Sequence, residues 1–82
     1  MNSALNLLYF ARVAELVGKR AEAWPLAAET TGEILLAELR ARYPRLAQAQ
    51  RLRLAINQEH AAPAARVRPG DEVAVFEPVT GG

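Results

Sequence analysis

Thr30-Thr31-Gly32-Glu33-Ile34-Leu35-Leu36-Ala37-Glu38-Leu39-Arg40-Ala41-Arg42-Tyr43-Pro44 is the stretch that decides the fold. Thr30 places a hydroxyl three residues before Glu33, the spacing at which each side chain can satisfy the other's orphan backbone N–H at a helix start. Leu35, Leu36, Leu39 and Tyr43 then share one stripe at a 3.6-residue period, while Glu33, Ala37, Arg40 and Ala41 take the other side and Glu38 precedes Arg42 by four. Pro44 cannot continue the helix. One apolar stripe on one long helix calls for a sheet to cover it, and the stripe reads as core rather than as a partner-binding or membrane element.

Strands are expected on both sides of that helix. Leu5-Asn6-Leu7-Leu8-Tyr9-Phe10 is a short apolar run with the length of a buried strand. Arg12 to Val17 forms a short helical turn closed by Gly18, which is free to take the left-handed conformation. Arg20 to Leu26 alternates loosely and contains Pro25, which cannot donate to a ladder, so it suits an edge strand. Beyond the helix, Leu52, Leu54 and Ile56 alternate with Arg51, Arg53, Ala55 and Asn57 in the cleanest period-two pattern of the chain. Ala61 to Ala65 reads as a loop or a turn of helix, Arg68-Pro69-Gly70-Asp71 as a tight turn, and Val73-Ala74-Val75-Phe76 as the last strand, ended by Pro78. The fold class is α+β, a mixed sheet packed against one main helix. Periodicity alone leaves several small folds of that class open.

With 82 residues, 51% of them hydrophobic and 23% charged, the chain has material for a single domain over 1–82 and is not composed like a disordered one. Ten basic and nine acidic side chains leave a net charge of +1, too weak a field to gather nucleic acid or anionic lipid. The basic residues are scattered from Arg12 to Arg68 without the interleaved aromatics of a base-stacking platform. Cysteine is absent, which removes disulfides, thiolate metal sites, iron–sulfur ligation and any side-chain persulfide. Met1-Asn2-Ser3-Ala4 lacks the pattern of a secretory signal, and no apolar run approaches the roughly 20 residues needed to span a bilayer. No membrane partner is expected, and the expected location is the cytoplasm.

The catalytic inventory is sparse: one histidine, His60, and one serine, Ser3, so no nucleophile, base and orienting group can be assembled and no independent enzyme is expected. His60 beside Glu59 has no second ligand at useful spacing, so no metal site is expected and the imidazole reads as a surface or interface group. Asp71 and Glu72 are neighbours that point to opposite faces of an emerging strand, which suits a solvated turn better than acid–base chemistry. The remaining feature is the tail over 77–82, Glu77-Pro78-Val79-Thr80-Gly81-Gly82, with no residue written after the glycines. By itself a Gly-Gly end reads as frayed. After a strand stopped at Pro78, however, an extended tail projects its carboxylate about 10–15 Å at about 3.3–3.6 Å per residue, a reach suited to an active site on another protein. Glycine lets the backbone lie against the walls of a narrow channel. Adenylyl transfer would turn the carboxylate into a mixed anhydride, open to a sulfur nucleophile supplied by a partner.

Leu8-Tyr9-Phe10-Ala11-Arg12 with Glu15-Leu16-Val17-Gly18, then Ala55-Ile56-Asn57-Gln58, then Gly70-Asp71-Glu72-Val73-Ala74-Val75-Phe76-Glu77-Pro78-Val79-Thr80-Gly81-Gly82, together resemble the molybdopterin synthase small-subunit (MoaD) family. That resemblance implies a β-grasp, ubiquitin-like fold and a sulfur carrier of molybdenum cofactor biosynthesis. It implies that Gly82 is adenylated with ATP by an E1-like adenylyltransferase of the MoeB kind, is converted to a thiocarboxylate, and gives its sulfur to cyclic pyranopterin monophosphate to build the molybdopterin dithiolene. No cofactor would be held permanently, since ATP is used by the activating enzyme. The chain would be a non-catalytic subunit whose tail enters the large subunit, MoaE, in a hetero-oligomer, a heterotetramer by the family's pattern. The catalytic lysine of that complex belongs to the large subunit, so Lys19 is not a candidate. Carried over by position, Gly82 bears the sulfur, Gly81 is the slim residue behind it in the partner's channel, and Pro78, Val79 and Thr80 complete the inserted tail. Phe10, His60 and Phe76 match positions at the contact with the large subunit, although for both phenylalanines a core position is the competing reading. The family often has an apolar residue where His60 stands and commonly a second proline where Glu77 stands. The alternatives are a sulfur carrier for thiamine or transfer-RNA thiolation, and a ubiquitin-like modifier joined to target lysines.

Overall fold

The computed structural model describes residues 3–78, so Val79, Thr80, Gly81 and Gly82 lie outside the described residues. Strand β1 (Ala4–Tyr9) leads into helix α1 (Ala11–Val17), and β2 (Ala21–Pro25) returns alongside β1. Gly18 ends α1 at φ 89°, the left-handed closure expected of it, and its N–H donates to the Ala14 carbonyl at 2.8 Å. The first strand stops one residue sooner than its apolar run suggests, because the chain turns at Ala11, φ 48°, and the still-extended Phe10 becomes the N-cap of α1.

The long helix α2 spans Gly32–Arg42. Its cap differs from the expected one by a residue: Thr31, not Thr30, accepts from the Ile34 N–H at 3.3 Å, which leaves Glu33 in the first turn without the reciprocal bond. Thr30 is drawn away because Thr30–Thr31 forms the two-residue strand β3, paired antiparallel with β6 (Arg66–Val67). Two further N–H groups at the helix start are satisfied by the loop before β6, Gly32 by the Ala65 carbonyl at 2.9 Å and Glu33 by the Pro63 carbonyl at 2.8 Å. Of the loop expected over 61–65, Ala61 instead ends strand β5 (Glu59–Ala61), paired with Leu54, and 62–65 connects β5 to β6, two strands that the alternation did not reveal. After α2, a 3-10 helix (Pro44–Gln48) carries the chain towards β4 (Arg53–Ile56).

The main sheet has the order β2-β1-β7-β4-β5, with β7 (Glu72–Phe76) running parallel to β1 and antiparallel to β4. Strand β2 is at the edge, as Pro25 requires. Alternation sends Leu5, Leu7, Tyr9, Leu54, Val73 and Val75 to one face, where they meet Leu35 and Leu39 of α2 and Val13 and Leu16 of α1 in a single core. A fully buried leucine or valine of this kind contributes roughly 1.5–3 kcal/mol relative to its exposed state. A mixed five-stranded sheet wrapped on one face around one principal helix, with first and last strands parallel at its centre, is the β-grasp arrangement. Among the described residues no helix is long and apolar enough to cross a membrane.

Candidate functional site

Among the described residues the other face of the sheet carries no helix. Reading across the strands, Ala21 pairs with Leu8, Leu8 with Ala74, Ala74 with Ala55 and Ala55 with His60, so one row of small or apolar side chains crosses all five strands and ends on the imidazole. Phe76, on the same face one step further along β7, meets His60 edge to face with ring centroids 5.5 Å apart. Phe10 follows Tyr9, the partner of Val75, and its N–H donates to the Val75 carbonyl at 3.3 Å. The extended backbone of Phe10 continues the alternation and sets its ring on the outer side.

Phe10 is 51% exposed and Phe76 half-buried on the outer face, and neither belongs to the core cluster. A core role for them does not hold, because strand parity points both rings away from α2. His60 is exposed, as expected of a surface group. Pro78 is half-buried at the end of the described chain, where an open groove is lined by Arg53, His60, Phe76, Glu77 and Pro78 among others. The roles expected of Val79, Thr80, Gly81 and Gly82 concern residues beyond those described. The row formed by Leu8, Ala55 and Ala74 was missed in the sequence. Its signal was alanine and leucine at strand positions opposite in parity to the core residues.

An ion pair lies at the start of the tail. Glu77, the first residue past β7, lies 3.4 Å from Arg12 Nη1, and Arg12 Nη2 donates to the Gln48 carbonyl at 2.8 Å. At the far end of the sheet, Asn57 and Gln58 take φ of 51° and 72° in the β4–β5 hairpin turn, whose Asn57 side chain donates to Asp71 Oδ1 at 3.1 Å and accepts from the Glu72 N–H at 3.0 Å. Asp71 Oδ2 accepts from the Arg68 N–H at 2.8 Å, so its carboxylate is engaged in the turn rather than left to solvent. Glu29 holds both Arg66, at 2.5 Å, and Arg68, at 2.7 Å, and the two guanidinium groups, Arg68 first, keep its carboxyl below the usual range. Among the described residues no three His, Cys, Asp or Glu side chains come together as a metal site would require.

The ThiS family model matches residues 7–82, from the middle of β1 through the last glycine. The chain belongs to the ThiS family. Within that family it is 34% identical over 82 residues to the molybdopterin synthase sulfur carrier subunit of Homo sapiens, covering 95% of this chain and 93% of the relative. To the subunit of the same name from Caenorhabditis briggsae it is 35% identical over 82 residues, covering 96% and 98%. The crystal structure of the small archaeal modifier protein 1 of H. volcanii superposes with a TM-score of 0.80 at 25% identity, over 95% of this chain and 100% of that one. The resemblance to the molybdopterin synthase small-subunit family and the β-grasp fold it implies are both borne out.

Proposed function

We propose that this chain is the sulfur-carrier subunit of a molybdopterin synthase. The observation that carries the reading is the continuity of the family match from β1 through Gly82, combined with a sheet whose central strand β7 leads directly into the tail. In this reading a carboxylate oxygen of Gly82 attacks the α-phosphorus of ATP on an E1-like enzyme and pyrophosphate leaves. A sulfur nucleophile supplied by a partner then attacks the acyl carbon, AMP departs with one of the original carboxylate oxygens, and a thiocarboxylate remains. Its sulfur passes to cyclic pyranopterin monophosphate in the large subunit, where the catalytic groups reside, and this chain acts as donor rather than catalyst. Gly81 and Gly82 supply a backbone slim enough for the channel. Phe10, His60 and Phe76, with the row from Leu8 to Ala55, form the apolar centre of the contact that seats the tail, and Pro78, Val79 and Thr80 follow it inward. ATP serves the activating enzyme only.

A second reading has a specific observation behind it, since the H. volcanii structure is that of a protein named a modifier. A modifier would end as an amide on a target lysine. Intact-mass and peptide analysis of the protein from its own cells separates the two: exchange of one oxygen for sulfur at Gly82 supports the carrier, a Gly82–lysine isopeptide supports the modifier, and an unaltered carboxylate under active cofactor synthesis overturns both. Deleting Gly82, or extending the chain beyond it, should abolish thiocarboxylate formation with the fold intact.

A further inference from the structure

Arg12 joins three segments that are distant in sequence. Its guanidinium reaches the Gln48 carbonyl 36 residues away, at the end of the 3-10 helix, and the Glu77 carboxylate 65 residues away, at the end of β7. The planar fork of an arginine suits this bridging, because fixing one N–H on a carbonyl aims the next without further loss of side-chain freedom. Glu77 and Pro78 also line a small surface cleft with Gln48, Gln50 and Arg51, so the base of the tail lies against the segment that Arg12 holds.

Pro78 confines Glu77 before it to extended conformations, but no ring fixes the φ of Glu77 itself. A proline in place of Glu77 would fix that φ near −65°. Here contacts take part in setting the direction in which the chain leaves the sheet. An exposed ion pair adds little to folding stability, so its value is in orientation rather than in holding the domain together.

We propose that Arg12 is a positioning residue for the tail: by bracing Glu77 against the 3-10 helix it sets the angle at which the chain beyond Pro78 leaves β7, supplying the restraint that a second proline would give. The consequence for activation rests on the carrier reading, whereas the brace itself does not. If only a fraction of free molecules aim the tail correctly, apparent affinity for the activating enzyme falls by that fraction, while the chemical step after seating is unchanged.

Two measurements on the full chain test this. In backbone 15N relaxation, the Glu77 amide should have an order parameter near 0.85 in the parent protein and fall towards about 0.6 or below in Arg12→Ala. An unchanged Glu77 order parameter in Arg12→Ala overturns the brace. In ATP–pyrophosphate exchange with the E1-like adenylyltransferase of the same cells, Arg12→Ala and Glu77→Ala should each raise KM for the carrier about 2–5-fold, as expected for a diminished competent fraction, with kcat and Tm unchanged. In a Glu77→Pro background, Arg12→Ala should have no further effect, because the ring supplies the restraint. An equal rise in KM in that background would show that Arg12 touches the enzyme directly and would sink the proposal, as would a loss confined to kcat. Absence of any exchange with the parent protein counts against the carrier reading, and the relaxation measurement still decides the brace.

Discussion

Tyr9 donates its phenolic hydrogen to Glu22 Oε2 across 2.5 Å, and the same oxygen accepts from Tyr43 at 2.6 Å. Edge strand β2 is thereby tied both to β1 and to the end of α2, with Lys19 Nζ 3.6 Å from the other carboxylate oxygen. Burial pushes the Glu22 carboxyl up, but the bonds from Tyr43 and Tyr9 and the charge of Lys19 together outweigh it and hold the group below its ordinary value. A carboxyl depressed in the folded state stabilises the fold at pH above its unfolded value, and that contribution is lost as pH falls through the folded one. Glu22→Gln should therefore be less stable than the parent at neutral pH, and the gap should close as pH drops below about 4.5. Urea midpoints measured across that range check it.

The alkaline side has the opposite sign. Burial, reinforced by the neighbouring Glu22, pushes the Tyr9 phenol far above its ordinary value of 10.0. The neutral phenol is then favoured by folding, so its contribution is whole below pH 10 and fades as pH rises towards the folded value. The chain has two tyrosines, so Tyr43→Phe leaves Tyr9 as the sole phenol. In that variant, tyrosinate absorbance should appear together with loss of the fold and not before it. Ionisation of Tyr9 in a still-folded protein would contradict the assignment.

Gly32 opens α2 against the β4 side of the core. A Cβ placed there would lie 2.8 Å from Leu54 Cδ1 and 3.4 Å from the Pro63 carbonyl oxygen, and Leu54 is itself packed in the core. Gly32→Ala should cost about 1–3 kcal/mol, the usual range for overpacking. The gain in helix propensity, up to about 1 kcal/mol in a helix interior, is smaller at a first-turn position. Chemical denaturation should show the loss, with helix content by circular dichroism unchanged.

Phe10 offers the clearest separation of binding from folding. Its ring is exposed and it lies outside the core, so Phe10→Ala should leave Tm nearly unchanged. If Phe10 anchors the proposed contact with the large subunit, its truncation should weaken binding by about 2 kcal/mol or more, upwards of tenfold in Kd. Calorimetric titration against the large subunit measures this. Unaltered affinity would remove Phe10 from the interface.

Much of the fold was legible because its long elements carry strong periodicity. The stripe on α2, the alternation through Leu52, Leu54 and Ile56, and the stop at Gly18 all appear where the chain pattern places them. The two-residue strands β3 and β6 are too short to have a period, and they exist because the loop before β6 and the start of α2 exchange hydrogen bonds. Strand β5 was hidden because its turn, Asn57-Gln58, takes two positive φ angles without a glycine to announce them. Of the residues expected at the site, Phe10, His60 and Phe76 lie outside the core, as a surface role requires, and Val79 to Gly82 lie outside the described residues. Phe76 and His60 take the outer face by their parity in β7 and β5, and Phe10 does so because its backbone stays extended up to the turn at Ala11. Arg12 had no local signal, since its partners come from the far ends of the chain.

The parallel pairing of β1 with β7 at the middle of the sheet also bears on timing. A ribosome has to release almost the whole sequence before β7 can slot between β1 and β4, and such non-local pairing forms late and slowly compared with local helix contacts. A nascent or partly unfolded chain therefore has no fixed base from which to present Gly82. In the carrier reading proposed above, only molecules that have completed the sheet would present their last glycine to the activating enzyme, which would make folding itself a checkpoint ahead of activation.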